Sequence, residues 1–295
     1  MNQQIVNEVL QAVDNSISYQ DGKVTVNDEK VFRSKVNRLA EISALDGGEK
    51  AGWARYFVRA GAQAIGVYPA SIHELYMARG RESIKEHFTV PAMNLRVLSF
   101  EAAKAVFRAA EKINAGAMIF EIARSEMNYT DQRPAEYTTS ILSAAVQEGY
   151  TGPVFIQGDH FQVSMKKYNA DPNTEIEALK ALIREAVAAG FLNIDVDTST
   201  MVDLSKTTVP EQQVLNTELS SLLTAYIRQV EPKGVTISVG GEIGEVGGHN
   251  STEEELCAYL SGFQKDLAQK GKNLVGLSKI SIQTGTSHGG VVLPD

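Results

Sequence analysis

Three short segments of the sequence combine groups that act as acids, bases or metal ligands with glycines that leave room for a ligand. "IQGDHFQ" places Asp159 beside His160, "SVGGEIGEVGGHN" carries Glu242 and Glu245 between glycine pairs, and "TGTSHGG" presents His288 among glycines. Imidazole and carboxylate groups are usual ligands of a catalytic zinc ion, and a carboxylic acid can also transfer protons. Glycine-rich backbone can approach a ligand closely and offer its N–H groups to an anion. An Asp-His pair alone is also typical of capping or packing, so the interpretation depends on all three segments together.

Each segment belongs to a set of short apolar runs that alternate with long helical stretches. The runs are "FTVPAM", "AMIFEIA", "PVFIQGD", "LNIDVDT", "VTISVGG" and "KISIQTG". Nearly continuous apolar runs are typical of parallel strands covered by helices, and this alternation indicates βαβ units. Six strands with polar or glycine-rich carboxyl ends favour an α/β fold of the (β/α)8 (TIM) barrel type over an open sheet, which binds ligands at one switch point. Because a barrel needs eight strands, we expect the barrel to be truncated after strand six.

The first 87 residues have a different pattern, with helical spacing of apolar residues over most of their length. This spacing occurs in "MNQQIVNEVLQAVDNSI", "EKVFRSKVNRLAEISAL" and "KAGWARYFVRAGAQAIGV", and "KVTVND" alternates like a short strand. We therefore predict a mainly helical N-terminal extension over residues 1–87 and a barrel over residues 88–295. Capping the barrel, forming an oligomer contact and shaping the substrate entrance are the three roles open to the extension.

Composition limits the partners and the compartment. The net charge of −8 argues against a general nucleic-acid binder and against attraction to an anionic membrane surface. The sequence has no apolar run of transmembrane length, and its first residues lack the basic start and apolar centre of a signal peptide. The single cysteine, Cys257, excludes an internal disulfide and fits a reducing compartment. We expect a cytoplasmic protein that binds neither nucleic acid nor membrane.

The order and approximate spacing of the motifs resemble the class II, metal-dependent fructose-bisphosphate aldolase family over residues 88–295. "FTVPAMNLR", "GDH", "IDVDTST", "GGEIGEVGG" and "IQTGTSHGG" are similar to the family's motifs on its first, third, fourth, fifth and sixth strands. The resemblance implies a TIM-barrel lyase of carbohydrate metabolism and glycolysis that forms a homo-oligomer. It would cleave or form a phosphorylated ketose, such as fructose or tagatose bisphosphate, through a zinc-stabilised enediolate.

The resemblance also implies roles for individual residues at or just beyond the strand ends. The implied metal ligands are His160, Glu242 and His288, the implied catalytic acid/base is Asp159, the implied substrate and phosphate contacts are Asn94, Ser287 and Gly289, and the implied neighbours of the ligand set are Asp197 and His249. The cofactor would be Zn²⁺ or another divalent metal, with a monovalent cation as a further candidate.

Two departures from the family pattern leave other functions open. A third histidine ligand and the main phosphate loop are expected beyond Asp295. His249-Asn250 stands where the family has an acidic pair, one member of which removes the carbon-bound proton of the substrate. His249 could serve as that base, while Asn250 as a helix N-cap is the alternative. A sugar-phosphate isomerase or epimerase and a non-catalytic aldolase-like subunit are therefore the other hypotheses. The aldolase is favoured because a non-catalytic subunit needs no ligand set gathered from several strand ends.

Overall fold

The computed structural model describes residues 2–244 and 250–283, which form an α/β fold built on parallel strands and helices. Its helices are α1 (Gln3–Gln11), α2 (Glu29–Leu45), α3 (Gly48–Ala64), α4 (His73–Gly80), α5 (Ser99–Lys112), α6 (Arg124–Thr130), α7 (Pro134–Gln147), α8 (Met165–Ala170), α9 (Pro172–Ala189), α10 (Val209–Val230) and α11 (Glu253–Lys270). Its strands are β1 (Ile17–Gln20), β2 (Lys23–Val26), β3 (Val67–Pro69), β4 (Ala92–Asn94), β5 (Ile119–Ala123), β6 (Gly152–Gln162), β7 (Asn193–Asp197), β8 (Ser238–Glu242) and β9 (Lys279–Ser281). Within these described ranges, each helix is too short or too polar to cross a bilayer.

The chain divides into two compact units. The first unit comprises Met1–Ala70, Glu86–Gly158 and Ala188–Leu192, and the second comprises Ser71–Lys85, Asp159–Val187 and Asn193–Asp295. Strand β6 runs through both, because its residues 152–158 belong to the first unit and its residues 159–162 to the second. The division of the chain into an extension and a barrel at residue 87 stays a prediction.

The first unit contains a helical N-terminal part and the first parallel strands. Strands β1 and β2 form an antiparallel hairpin, and both turn residues, Asp21 and Gly22, have positive φ as a tight two-residue turn requires. Strand β4 pairs in parallel with β5, so that Asn94 lies opposite Glu121. Every residue of β5 is buried, which explains its nearly continuous apolar sequence. Its Phe120 ring packs 4.8 Å from the Phe107 ring, between centroids, and so joins β5 to α5.

The second unit contains three strands that pair in parallel and in sequence order. Asp195 of β7 lies opposite Gly240 of β8, and Gly240 lies opposite Lys279 of β9. Helices α10 and α11 pack beside these strands, with the apolar side chains Tyr259 and Phe263 of α11 fully or almost fully buried. The unit therefore keeps the alternation of strand and helix that the sequence predicts.

Helix α11 begins with a capping box, and its N-cap lies two residues after Asn250, the alternative N-cap that the sequence suggested. Thr252, rather than Asn250, is the N-cap residue. Its hydroxyl accepts a hydrogen bond from the Glu255 N–H at 3.3 Å, and its own N–H donates to the Glu255 carboxylate at 2.7 Å. These reciprocal bonds satisfy two backbone N–H groups at once, those of Thr252 and Glu255. A lone cap by the Asn250 side chain would satisfy fewer, so Thr252 is the favoured N-cap. Glu255 is thus a helix-capping residue.

His73 predicts a pH dependence of folding stability. Burial lowers the pKa of this imidazole from its ordinary value of 6.5, with Glu74 opposing the shift and Arg228 adding to it. Below pH 6.5 the unfolded chain binds a proton at His73 more readily than the folded chain does. The free energy of unfolding should therefore fall as the pH drops below 6.5, by at most about 1.4 kcal/mol per pH unit from this group.

Urea denaturation between pH 5 and pH 7 measures this slope. His73→Leu should flatten the slope, because it removes the titrating group. Equal slopes for wild type and His73→Leu would show that His73 does not contribute.

Candidate functional site

His160 occupies a strained backbone position near the carboxyl end of β6. Its φ of 43° lies in the left-handed region, which residues other than glycine rarely adopt. In a regular strand, Asp159 and His160 would point to opposite faces. Here the His160 Nδ1 atom lies 2.6 Å from the Asp159 Oδ1 atom. The irregular backbone therefore accompanies a direct contact between two neighbouring side chains, and strain of this kind commonly occurs at functional sites.

Two carboxylates from the next strands complete a cluster around His160. Asp197 is the last residue of β7 and Glu242 is the last residue of β8. The Glu242 Oε1 atom lies 3.3 Å from the His160 Nε2 atom. One potential ligand atom from each of His160, Asp197 and Glu242 lies within 4.8 Å of the other two. An imidazole nitrogen and two carboxylate oxygens suit zinc and similar divalent ions, and three protein ligands leave a coordination position open.

Hydrogen bonds hold the Asp197 carboxylate in place. Its Oδ1 atom accepts from the Ser199 N–H at 3.0 Å and from the Ser199 hydroxyl at 2.6 Å. Its Oδ2 atom accepts from the side-chain amide of Gln162, which lies at the end of β6. Partners of this kind orient ligating carboxylates in metal sites. Sequence analysis missed Gln162 and Ser199, although a serine two residues after an aspartate is a local signal for such a turn.

Glycines place β8 close to its neighbours. A side chain at Gly241 would put a Cβ atom 2.4 Å from the Tyr259 hydroxyl oxygen, which is buried under the strand. That hydroxyl also lies 2.8 Å from the Ser220 hydroxyl on α10. The absence of a side chain at Gly241 therefore lets the strand that carries Glu242 lie directly against α11.

Helix α10 anchors the backbone that follows Glu242. The Asn216 side-chain amide donates to the Glu242 carbonyl oxygen at 3.0 Å, and the Gln213 side-chain amide donates to the Ile243 carbonyl oxygen at 3.0 Å. Both amide side chains are buried. Buried polar groups that are fully paired restrict the backbone more than exposed ones do. The carboxyl end of β8, and with it the Glu242 side chain, is thus tied to α10.

The carboxylates around His160 change the proton affinities of the cluster. The hydrogen bond and charge of Asp159 raise the pKa of His160 to about 10, against the opposing effect of burial and with further contributions from Glu242 and Asp197. Burial, with the charge of Asp197 added, raises the pKa of Glu242 to about 8. At neutral pH the cluster therefore retains protons that a divalent cation would have to displace.

The remaining predicted site residues are only partly within the described structure. Asn94, at the carboxyl end of β4, donates from its side-chain amide to the Glu126 Oε2 atom at 3.0 Å. The Glu126 carboxylate also pairs with the Arg96 guanidinium. Sequence analysis missed Glu126, which is buried at the start of α6. Ser287, His288, Gly289 and His249 lie outside the described residues, so their roles stay predictions.

Parallel strands that carry acids, bases and ligand-type side chains at their carboxyl ends define a class of α/β enzymes. The model of the fructose-bisphosphate aldolase class-II family matches residues 80–292, more than two thirds of the sequence. The chain therefore belongs to this family, a family of lyases, and the resemblance seen in the sequence motifs is confirmed. Class II aldolases are generally metal-dependent, in agreement with the donor set around His160.

Comparison with known structures and curated proteins adds little. The chain is similar to the crystal structure of a probable tagatose 6 phosphate kinase from Sinorhizobium meliloti 1021, with 16% sequence identity and a TM-score of 0.48. The match covers 68% of this chain and 51% of that chain, so this chain spans about half the length of that structure. A TM-score below 0.5 supports no argument about function. No curated protein matches the chain.

The protonated state of His160 predicts proton release on metal binding. Because the pKa of His160 is raised to about 10, its imidazole is protonated at pH 7 and must lose a proton before it can coordinate. Zn²⁺ affinity should therefore rise between pH 6 and pH 8, with protons released to the buffer. Isothermal titration calorimetry in buffers with different ionisation enthalpies measures how many protons are released for each Zn²⁺ bound. Binding heats that do not depend on the buffer would contradict the protonated state.

Proposed function

We propose that this chain acts as a metal-dependent aldolase on a phosphorylated ketose, with fructose bisphosphate and tagatose bisphosphate as the candidate substrates. The observation that carries the proposal is the cluster of His160, Asp197 and Glu242 at the carboxyl ends of three successive strands, in a member of the class II aldolase family. A (β/α)8 barrel containing β4 to β9 is part of the same proposal, supported by the parallel pairing of β4 with β5 and of β7, β8 and β9.

The donor set fits a divalent metal such as zinc. His160 would bind through Nε2, because its Nδ1 faces Asp159, and ligating histidines commonly pair their second nitrogen with a carboxylate. Asp197 and Glu242 would supply oxygens, and His288 is a further proposed ligand from the family resemblance. When bound, the ion would supply Lewis acidity that polarises a substrate carbonyl.

Asp159 would transfer the proton at the oxygen that becomes the aldehyde. In the cleavage direction its carboxylate accepts the proton of the hydroxyl group beside the scissile C–C bond. That bond breaks, an aldehyde forms, and the bonding electron pair passes to the carbonyl-bearing fragment, which must then gain a proton on carbon. In condensation the same carboxylic acid returns the proton to oxygen. The Asp159 side chain is only 13% exposed, which limits competition from water.

Substrate binding would involve Asn94 at the end of β4. Its side-chain amide donates to the buried Glu126 carboxylate, and the same side chain would form a hydrogen bond with a substrate hydroxyl. Ser287 and Gly289 are the proposed phosphate contacts. These roles follow from the family resemblance. The contact with Glu126 gives the Asn94 side chain a defined orientation.

Enzyme assays test the proposed activity. With Zn²⁺, Co²⁺ or Mn²⁺ added, the chain should release triose phosphates from fructose or tagatose 1,6-bisphosphate, and a chelator should abolish the reaction. Asp159→Asn should lower kcat at saturating metal by about a hundredfold, the usual contribution of an acid/base group. The matched control Asp203→Asn changes a carboxylate that is 48% exposed and should retain wild-type kcat.

Other products would favour another function on the same scaffold. Conversion of a ketose phosphate into an isomer or epimer, with no C–C cleavage, would replace the aldolase by an isomerase or epimerase. Metal binding without turnover of any ketose phosphate would instead support a non-catalytic subunit.

A further inference from the structure

An ion pair in the second unit crosses a strand position that has no side chain. The Lys279 Nζ atom of β9 lies 2.8 Å from the Asp195 Oδ1 atom of β7. Between these strands, Gly240 of β8 lies directly opposite both residues. A Cβ atom at Gly240 would lie 2.1 Å from Asp195 Oδ1 and 2.8 Å from Lys279 Cε. The pair therefore occupies the space that any larger residue at position 240 would need.

The pair is substantially removed from water. The Lys279 side chain is 21% exposed and the Asp195 side chain is 19% exposed. Removing one partner of a buried ion pair is much more disruptive than removing one partner of a surface pair, because an uncompensated charge remains. The Lys206–Asp203 pair of the same unit, with exposures of 55% and 48%, is the surface counterpart. Lys279 and Asp195 are thus expected to be structurally coupled, and Lys206 and Asp203 only weakly so.

The Asp195–Lys279 pair lies two residues along the strands from the proposed metal ligands, toward the amino ends of the strands and on the same face of the sheet. Side chains two residues apart on a strand share a face, roughly 6.6 Å apart. Asp197 follows Asp195 by two residues on β7, and Glu242 follows Gly240 by two residues on β8. Glycines weaken strand interiors because they offer no side chain for cross-strand packing, and β8 has Gly240 and Gly241 immediately before Glu242. A link between β7 and β9 compensates for that weakness next to the ligands.

We propose that Asp195 and Lys279 are positioning residues that tie β7 to β9 across Gly240 and so hold Asp197 and Glu242 at the separation that metal binding requires. The inference rests on the proposed metal site but concerns residues outside the ligand set. Lys279 acts through Asp195 and the strands rather than through the substrate.

Metal affinity of the metal-free chain tests the inference without an activity assay. We expect Lys279→Met to weaken Zn²⁺ binding by about tenfold to a hundredfold, the usual effect of removing a group that supports metal ligands. Lys279→Arg keeps the charge and the reach, and its affinity should stay closer to that of wild type. Competition with a chromophoric chelator gives the Zn²⁺ affinity, and the visible spectrum of the Co²⁺-loaded chain reports the ligand arrangement.

Two further variants separate positioning from a general loss of folding. Lys206→Met makes the same substitution in the exposed pair and should leave Zn²⁺ affinity and the Co²⁺ spectrum unchanged. If Lys279→Met does not fold, Asp195→Asn replaces it, because the amide keeps the shape of the carboxylate and removes the link. Circular dichroism of each metal-free variant establishes folding before metal is added.

The outcomes distinguish this inference from the proposed function. Weaker metal binding by Lys279→Met, with kcat and KM near wild type once metal is saturating, supports positioning. A folded Lys279→Met or Asp195→Asn variant with wild-type Zn²⁺ affinity and Co²⁺ spectrum overturns the inference alone. A kcat that stays about a hundredfold low at saturating metal would place Lys279 at the reacting atoms and overturn positioning. A wild-type chain that binds no divalent metal overturns the metal site and this inference together.

Discussion

The contact between the Asp159 carboxylate and the His160 imidazole is the interaction on which the site depends. It occupies Nδ1, and so it leaves Nε2 as the atom that faces Glu242. Three carboxylates near one imidazole repel one another unless a proton or a metal ion lies among them. In the metal-free chain, the hydrogen bond and charge of Asp159 raise the pKa of His160. Burial, with the charge of Asp197 added, raises the pKa of Glu242, so both groups retain protons. The charge arrangement therefore favours a cation among these side chains, independently of any family relationship.

Local sequence patterns predicted the elements well, because strand and helix periodicity depends on neighbouring residues. The apolar runs around Ile122, Ile194 and Val239 are strands, and Asp197 and Glu242, which end the last two, were identified as candidates. The inclusion of Asp197 in one cluster with His160 and Glu242 depends on strand register, which brings together residues 37 or more positions apart in the sequence. The hydrogen bond from Gln162 to Asp197 depends on how their strands lie together, and the bond from Asn94 to Glu126 depends on the placement of α6 beside the end of β4. Periodicity contains no information about which residues lie opposite one another across strands.

The two glycines before Glu242 mark a close approach to the backbone, as the sequence indicated, but the approaching group differs from the one expected. Sequence analysis took the Gly240-Gly241 pair as backbone that lets a ligand approach. In the structure, neighbouring side chains fill the space instead: the Asp195–Lys279 pair at Gly240 and the Tyr259 hydroxyl at Gly241. Glycine marks a close approach in either case, and the sequence does not identify the approaching group. Here the close approach is internal and serves the placement of a strand end.

The left-handed backbone at His160 has a consequence for stability. A residue with a Cβ atom in this region is disfavoured by roughly 1–3 kcal/mol, whereas glycine is not. A chain selected only for a stable fold would therefore have glycine at position 160, and the imidazole is retained against that preference. Folding and chemistry compete at this single position. Any stabilisation programme that ranks substitutions by backbone fit would select position 160 among the first, and would remove the group around which the carboxylates are arranged.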